Sequence, residues 1–417
     1  MKSDEVMNFL NQISYQYPDA ISLASGRPNP RFFQIEELNR YQDEFLQYYA
    51  CKSKYSNKKA KKELVQYGPT SGIINKHIKN YLEIDELVNC SEKEIVITNG
   101  CQEALALICL HELKGNRDCM LVLDPSYAGF SSLLKRLSKR VETVEIDCVY
   151  NNENNSFDWS ELAKKINQLK SKGLRPKAMY INPDFNNPLS YRISKKDKLI
   201  LLNLCLSLNI RIIEDNPYSR FDYSRKASLT LKSLDQHNIV YHIGSFSKIF
   251  FPGVRVGYIV TPTTCKRERD DLISLKSLIS INTSPITQSI VGGFLQKNNF
   301  SLADSIQPML RGYALQRDAM LSALDKYCSN VEGMTWNYPD GGFFLVVELP
   351  FRVLQEDVEE CARDYGVIFM PVSFFSMIPE KWENKIRLAF SYYDPDTIDD
   401  GIERLSKYIK SRFTSKK

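Results

Sequence analysis

Six short apolar or β-branched runs constrain this chain more than any other feature: Glu94–Thr98, Met120–Asp124, Ala178–Asn182, Arg211–Glu214, Val240–Gly244 and Arg255–Thr261. Between them lie helical periodicities, among them Gln102–Leu113, Gly129–Leu137 and Lys195–Leu208. Strands that alternate with helices predict an α/β fold with a mostly parallel sheet sandwiched by helices. In such sheets ligands bind beyond the carboxyl ends of the strands.

The last third breaks that rhythm. A helical stretch from Ser301 to about Cys328 leads into Met334–Asn337, a Gly341–Gly342 turn and Phe343–Glu348. A helix near Leu354–Tyr365, short runs at Val367–Met370 and Arg387–Phe390, and a helix from about Asp396 follow. This mixture predicts a smaller α+β domain over residues 311–417. A large ligand-binding domain is expected over 63–310, with the loop-rich residues 1–62 joining the small one. The Asn151–Asn155 run reads as a surface loop.

Composition narrows the classes. The net charge of +5 is small for 417 residues, and the bases are interspersed with acids, which argues against a nucleic-acid partner. The two basic clusters, Lys52–Lys62 and Lys407–Lys417, read as a solvated loop and a frayed terminal helix. Ten cysteines without a C-x-x-C pair, and four histidines without zinc spacing, predict neither disulfides nor a metal, and a reducing compartment. The amino terminus shows no signal-peptide pattern, and Leu199–Leu208 is too short to span a bilayer. A cytoplasmic protein without membrane contact is expected.

The chemistry centres on Ser245-Phe-Ser247-Lys248, with Arg255 seven positions after the lysine. An amine forms a Schiff base with an aldehyde, while hydroxyls, amides and a guanidinium satisfy a phosphate. Pyridoxal phosphate (PLP) carries both groups. Other segments supply complementary parts. Thr98-Asn99-Gly100-Cys101-Gln102 opens a helix whose N-terminus suits a phosphate. Tyr127, in Asp124-Pro-Ser-Tyr, can lie on a heteroaromatic ring. Asn187 and Tyr218 can share a phenolate oxygen, and Asp215 can hold a pyridinium nitrogen. Arg387 alternates with apolar neighbours and suits an α-carboxylate. Taken singly, each has an ordinary explanation as a turn, a cap or half-buried packing. The Tyr67–Gly72 loop lacks the G-K-[ST] ending of a nucleotide loop.

Taken together and in this order, the segments resemble the PLP-dependent fold-type I enzymes, specifically the class I/II aminotransferases. The aminoadipate/aromatic branch is nearest, on Gly26-Arg-Pro-Asn-Pro-Arg-Phe-Phe, Gln66-Tyr-Gly-Pro-Thr-Ser-Gly, Asn99-Gly-Cys-Gln-Glu-Ala-Leu and Pro339-Asp-Gly-Gly-Phe-Phe. The resemblance spans about residues 20 to 405. It implies an enzyme that exchanges an amino group between an L-amino acid and a 2-oxo acid by a ping-pong route through a Lys248 aldimine. Lys248, Asp215 and Tyr218 would be catalytic. Gly100, Cys101, Gln102, Tyr127, Asn187, Ser245, Ser247 and Arg255 would complete the cofactor site. Tyr67 would reach the phosphate of a neighbouring subunit in a homodimer. Arg387, Asn187 and Arg27 would meet the substrate, with Arg31 near Arg27.

Two departures bear on the reaction rather than the cofactor: Leu189-Ser190 where the family usually has Thr-Gly, and Met370-Pro371-Val372 where Pro-Gly is commoner. Elimination, replacement or O2-dependent oxidation on the same fold is the alternative. A PLP-binding regulatory domain is a distant second, because the resemblance begins too early to leave room for a DNA-binding domain.

Overall fold

Strand alternation decides which face of the central sheet each residue serves. The computed structural model describes residues 6–53, 56–151, 155–224, 228–262 and 266–414. Seven strands form the sheet: β1 (Ile95–Thr98), β2 (Asp118–Asp124), β3 (Arg140–Glu145), β4 (Arg175–Ile181), β5 (Arg211–Asp215), β6 (Val240–Ser245) and β7 (Gly257–Val260). Their spatial order is β1-β7-β6-β5-β4-β2-β3, with only β7 antiparallel to its neighbours.

Met120, Val122, Ala178, Tyr180, Ile213, Tyr241 and Ile243 turn to one face, against Ala104, Leu105 and Ile108 of the Cys101–Glu112 helix. Leu121, Leu123, Met179, Ile181, Ile212 and Val240 turn to the other, against Leu162, Ile166, Leu201 and Cys205. Burying both faces is why these strands read as near-continuous apolar runs.

Two details differ from the sequence reading. β3 was not among the expected runs. It is an edge strand whose Arg140, Glu142 and Glu145 are only partly covered, and charges of this kind suit an edge. The run expected from Arg255 starts as a strand only at Gly257, because Arg255 takes a left-handed conformation (φ 51°) after the Pro252–Val254 turn.

A second sheet, antiparallel, joins β8 (Thr335–Trp336), β9 (Phe344–Glu348), β10 (Met370–Pro371) and β11 (Lys385–Ala389) in the order β8-β9-β11-β10. Around it lie the Gln307–Cys328 and Pro395–Thr414 helices. The helix expected near Leu354–Tyr365 forms as Gln355–Glu360 followed by a π-helical turn, Cys361–Tyr365. Val6, Phe9, Ile13 and Leu23 share a core with Met320, Leu324, Ile398, Ile402 and Leu405. Phe45, Leu46, Ala60 and Leu64 instead pack with Ile74, Ile78, Leu82, Val291 and Phe294.

Lys52–Lys62 is largely helical rather than a loop: Ser56 caps a helix over Asn57–Leu64 that buries Ala60 and Leu64, and residues 54–55 lie outside the described residues. Tyr150–Asn151 and Ser156–Phe157 pair antiparallel, and of the Asn151–Asn155 run between them residues 152–154 lie outside the described residues. Of the cysteines, Cys265 lies outside the described residues and the other nine are free thiols. No described helix is long and apolar enough to cross a membrane.

Candidate active site

Side chains of one parity project from the carboxyl ends of β4, β5 and β6 towards the start of the Cys101–Glu112 helix. There they border a cavity of about 330 Å³ lined by Tyr180, Asn182, Asp215, Ser245, Cys101 and Gln102. Tyr127, Asn187, Tyr218, Ser247, Lys248, Arg255, Arg387 and Arg27 line it too. A roomier groove of about 880 Å³, between residues 189–195 and 335–340, contains none of the candidate residues. The smaller cavity gathers the candidate residues.

One end of the cavity is built for an anion. Gly100 caps the helix at φ 77°, and a Cβ there would lie 2.5 Å from Arg255 Nη2, so glycine is what lets the guanidinium approach the helix start. Arg255 Nη1 donates to Ser247 Oγ at 3.0 Å. Ser245 Oγ donates to Ser247 Oγ and accepts from the Ser247 amide, both at 3.1 Å. Two hydroxyls, a guanidinium and a helix N-terminus thus converge.

The other end carries Asp215, Asn187, Tyr218, Lys248 and Arg387. Asp215 is 4% exposed; its Oδ2 accepts from the Tyr180 hydroxyl at 2.8 Å, while Oδ1 has no partner. Burial raises its pKa to about 6, against the pull of the Tyr180 hydroxyl and the Cys101 thiol. The neighbouring acid, Glu214, faces the opposite side of the sheet. There it accepts from the Leu231 and Lys232 amides and pairs with His242 at 2.9 Å.

Lys248 Nζ donates to Gly26 O at 2.7 Å. Burial lowers its pKa to about 8, and the cations Arg387 and Arg255 push the same way, which leaves the amine within reach of its neutral form. Tyr218 is buried edge-on to Phe343 and Phe344, and burial raises its pKa. Arg387 donates to Asn187 Oδ1 and, at 2.5 Å, to Ala24 O. Its guanidinium lies over the ring of Phe344 at 4.1 Å and over that of Phe375 at 4.6 Å. Burial lowers its pKa to about 10, so it stays cationic at neutral pH. Because the carbonyl end of the Asn187 amide is held by Arg387, its NH2 remains free to donate to a ligand.

Comparison with known proteins decides the family. The family model described as aminotransferase class I and II matches residues 38–405. The chain belongs to the class I and II aminotransferases. This aminotransferase is 33% identical to the (S)-3,5-dihydroxyphenylglycine transaminase of Amycolatopsis orientalis, over 97% of this chain and 91% of that one. It is 29% identical to aromatic-amino-acid aminotransferase 1 of Thermococcus litoralis, over 98% and 92%. Among solved structures it is similar to the Pyrococcus horikoshii kynurenine aminotransferase in complex with PMP. That match has a TM-score of 0.83 and 28% identity, and covers 99% of this chain and 95% of the other. The aminotransferase is therefore a PLP-dependent enzyme of fold type I acting on amino acids and 2-oxo acids.

The residues present fit that cofactor. The buried, unpartnered Asp215 Oδ1 suits a pyridinium N–H, the Gly100–Arg255 cup suits a phosphate, and the depressed amine of Lys248 suits an aldehyde. Two candidates stand apart from this cluster. Tyr67 is 79% exposed and does not line the cavity, and Arg27 is exposed at its edge. Arg31 does not line it and instead stacks on Phe32.

Sequence reading missed Tyr180 and Asn182. Asn182 donates to Asp215 O at 2.5 Å and accepts from the Asn187 amide at 3.1 Å, so it ties two candidates together. Strand parity could have found both, since they alternate with Met179 and Ile181 on the face that Asp215 shares. The N-terminal helix Val6–Gln16, which brings Val6, Leu10, Asn11 and Ser14 to the cavity, carries no chemical motif.

Proposed function

We propose that this aminotransferase holds PLP on Lys248 and acts on amino acids with large apolar or aromatic side chains. The cofactor assignment of individual residues rests on one observation above the others: Asp215 Oδ1 is buried without a partner on the cavity that Lys248 enters. When bound, PLP supplies an aldehyde that takes up the substrate amine and a ring that accepts the Cα electron pair, so amino acid and 2-oxo acid exchange the amino group in two halves.

The protein's own part divides as follows. Asp215, ionised, holds the ring nitrogen protonated. Ser245, Ser247, Arg255 and the Cys101 and Gln102 amides hold the phosphate, and Tyr127 covers the ring. Asn187 and Tyr218 donate to the phenolate oxygen. Arg387 binds the α-carboxylate, which orients the Cα–H towards Lys248. Lys248 Nζ, neutral in part because of its lowered pKa, removes that proton.

Val6, Leu10, Met370, Phe344 and Phe375 give the rest of the cavity an apolar, aromatic wall, and the relatives named for aromatic substrates support the same class. Arg27, at the edge, is placed to meet a polar group at the far end of such a side chain.

The reading extends to a homodimer in the cytoplasm, with Tyr67 completing the partner's phosphate site. An exposed apolar stretch supports this: Tyr67 and Val65, together with Leu278, Ile279, Ile281 and Ile286, the last beside the Pro285 that Gly68 packs against. It also carries the chain division expected from sequence: 63–310 for the cofactor, 311–417 as small domain, and 1–62 beside it. Packing of Val6–Leu23 with the C-terminal core supports the last of these for the first part of that segment.

The test is a half-reaction. Loaded enzyme mixed with one aromatic amino acid and no acceptor releases one equivalent of 2-oxo acid per site. Ammonia release or oxygen uptake instead would overturn transamination.

A further inference from the structure

Asp124 ends β2 and is 1% exposed, yet it does not line the cavity. Both of its carboxylate oxygens accept hydrogen bonds from across the molecule. Oδ1 accepts from the Met377 amide at 2.6 Å and Oδ2 from the Ser376 hydroxyl at 2.5 Å. Ser376 Oγ in turn accepts from the Ile378 amide at 2.8 Å, and the Ser126 amide donates to Phe375 O at 3.0 Å. These bonds tie the turn that leads into Tyr127 to the segment that carries Phe375. A buried carboxylate is retained only where donors satisfy it, and here every donor comes from that segment or from the turn it anchors.

Phe375 is the second ring on Arg387. Phe344, the ring nearer the guanidinium, is held in β9, but Phe375 sits in a 3-10 turn, Val372–Phe375, outside either sheet. The Asp124 bonds begin at the very next residue. We propose that Asp124 is a positioning residue for the substrate carboxylate: by holding Ser376 and Met377 it seats Phe375 on Arg387 and fixes the edge that the guanidinium offers to substrate. This rests on the reading of Arg387 as the carboxylate-binding residue.

The test uses the PLP-loaded enzyme with a good amino donor, and hydrogen exchange at residues 376–378 in cofactor-free protein. Asp124→Asn keeps the size of the side chain but replaces one acceptor by a donor. It is expected to raise KM for the amino acid severalfold and by at most about tenfold, because the worth of one hydrogen bond to a charged group limits what can pass through Phe375 to Arg387. It should leave kcat within about twofold, the pattern of a lost binding contact, and speed exchange at Met377. Ser376→Ala should move both readouts the same way by less, and decides the matter alone if Asp124→Asn does not fold. Arg387→Lys separates the two claims. If it leaves KM unchanged, the carboxylate-binding reading falls and this inference falls with it. If it raises KM while both other variants keep wild-type KM, only the role of Asp124 is overturned. Loss of cofactor binding together with a fall in kcat as large as the rise in KM would mark Asp124 as merely structural and would also overturn it.

Discussion

Replacing Lys248 by methionine should stabilise the cofactor-free protein at neutral pH, even though it abolishes the reaction. The lysine is held among groups that disfavour its charge: burial first, then Arg387 and Arg255, which together lower its pKa from 10.5 to about 8. That shift corresponds to roughly 3 kcal/mol against folding wherever the amine is charged in both states, a ceiling because Lys248 is only partly shielded. Methionine loses the hydrogen bond to Gly26 O, worth about 1 kcal/mol. The net gain is about 2 kcal/mol, or roughly 2 °C in Tm at the usual unfolding entropy per residue. The sign depends on pH. A folded pKa below the unfolded one penalises the folded state fully below pH 8, and the penalty fades as pH rises to 10.5. The variant should therefore melt above the wild type at pH 7 and slightly below it at pH 10.5. Thermal denaturation of both cofactor-free proteins across that range checks this. A variant that is less stable at pH 7, or a gain that does not change with pH, would refute the electrostatic account of Lys248.

Three further outcomes are expected. Asp215→Asn removes the carboxylate proposed to face the ring nitrogen, so PLP affinity measured by equilibrium dialysis should fall about 10- to 100-fold, the worth of a hydrogen bond to a charged group. Gly100→Ala forces a side chain into a left-handed conformation and against Arg255; affinity for PLP should fall while affinity for unphosphorylated pyridoxal stays near wild type. On the far side of the sheet, burial opposes the charging of His242, but Glu214 and Glu86 raise its pKa to about 10. Its contribution is then complete below about pH 6.5 and is lost as pH rises through 10, so His242→Gln should lower Tm at pH 6 and have little effect at pH 10.5.

The parallel sheet was legible because buried strands leave uninterrupted apolar runs, and the residues at their ends were legible because Asp215, Asn187 and Lys248 carry chemistry unusual beside such runs. What escaped lacks that signal. Strand β3 is an edge and looks polar. Arg255 lies outside its strand because a turn, not a run, sets its conformation. Tyr180 and Asn182 were hidden inside a run read as core. The apolar wall from the N-terminal helix and from Phe375 depends on chain paths that bring residues more than 200 positions apart together, which no local pattern records. Tyr67 is exposed in the single chain, so the role proposed for it depends on a second copy.

The proposed site, between β4, β5, β6 and the Cys101–Glu112 helix, puts PLP on one particular lysine. Borohydride reduction of the PLP-loaded enzyme, followed by proteolysis and peptide mass spectrometry, tests it most directly. One reduced cofactor per chain, attached at Lys248, is the expected result. Stoichiometric attachment at any other lysine, with Lys248 unmodified, would contradict it.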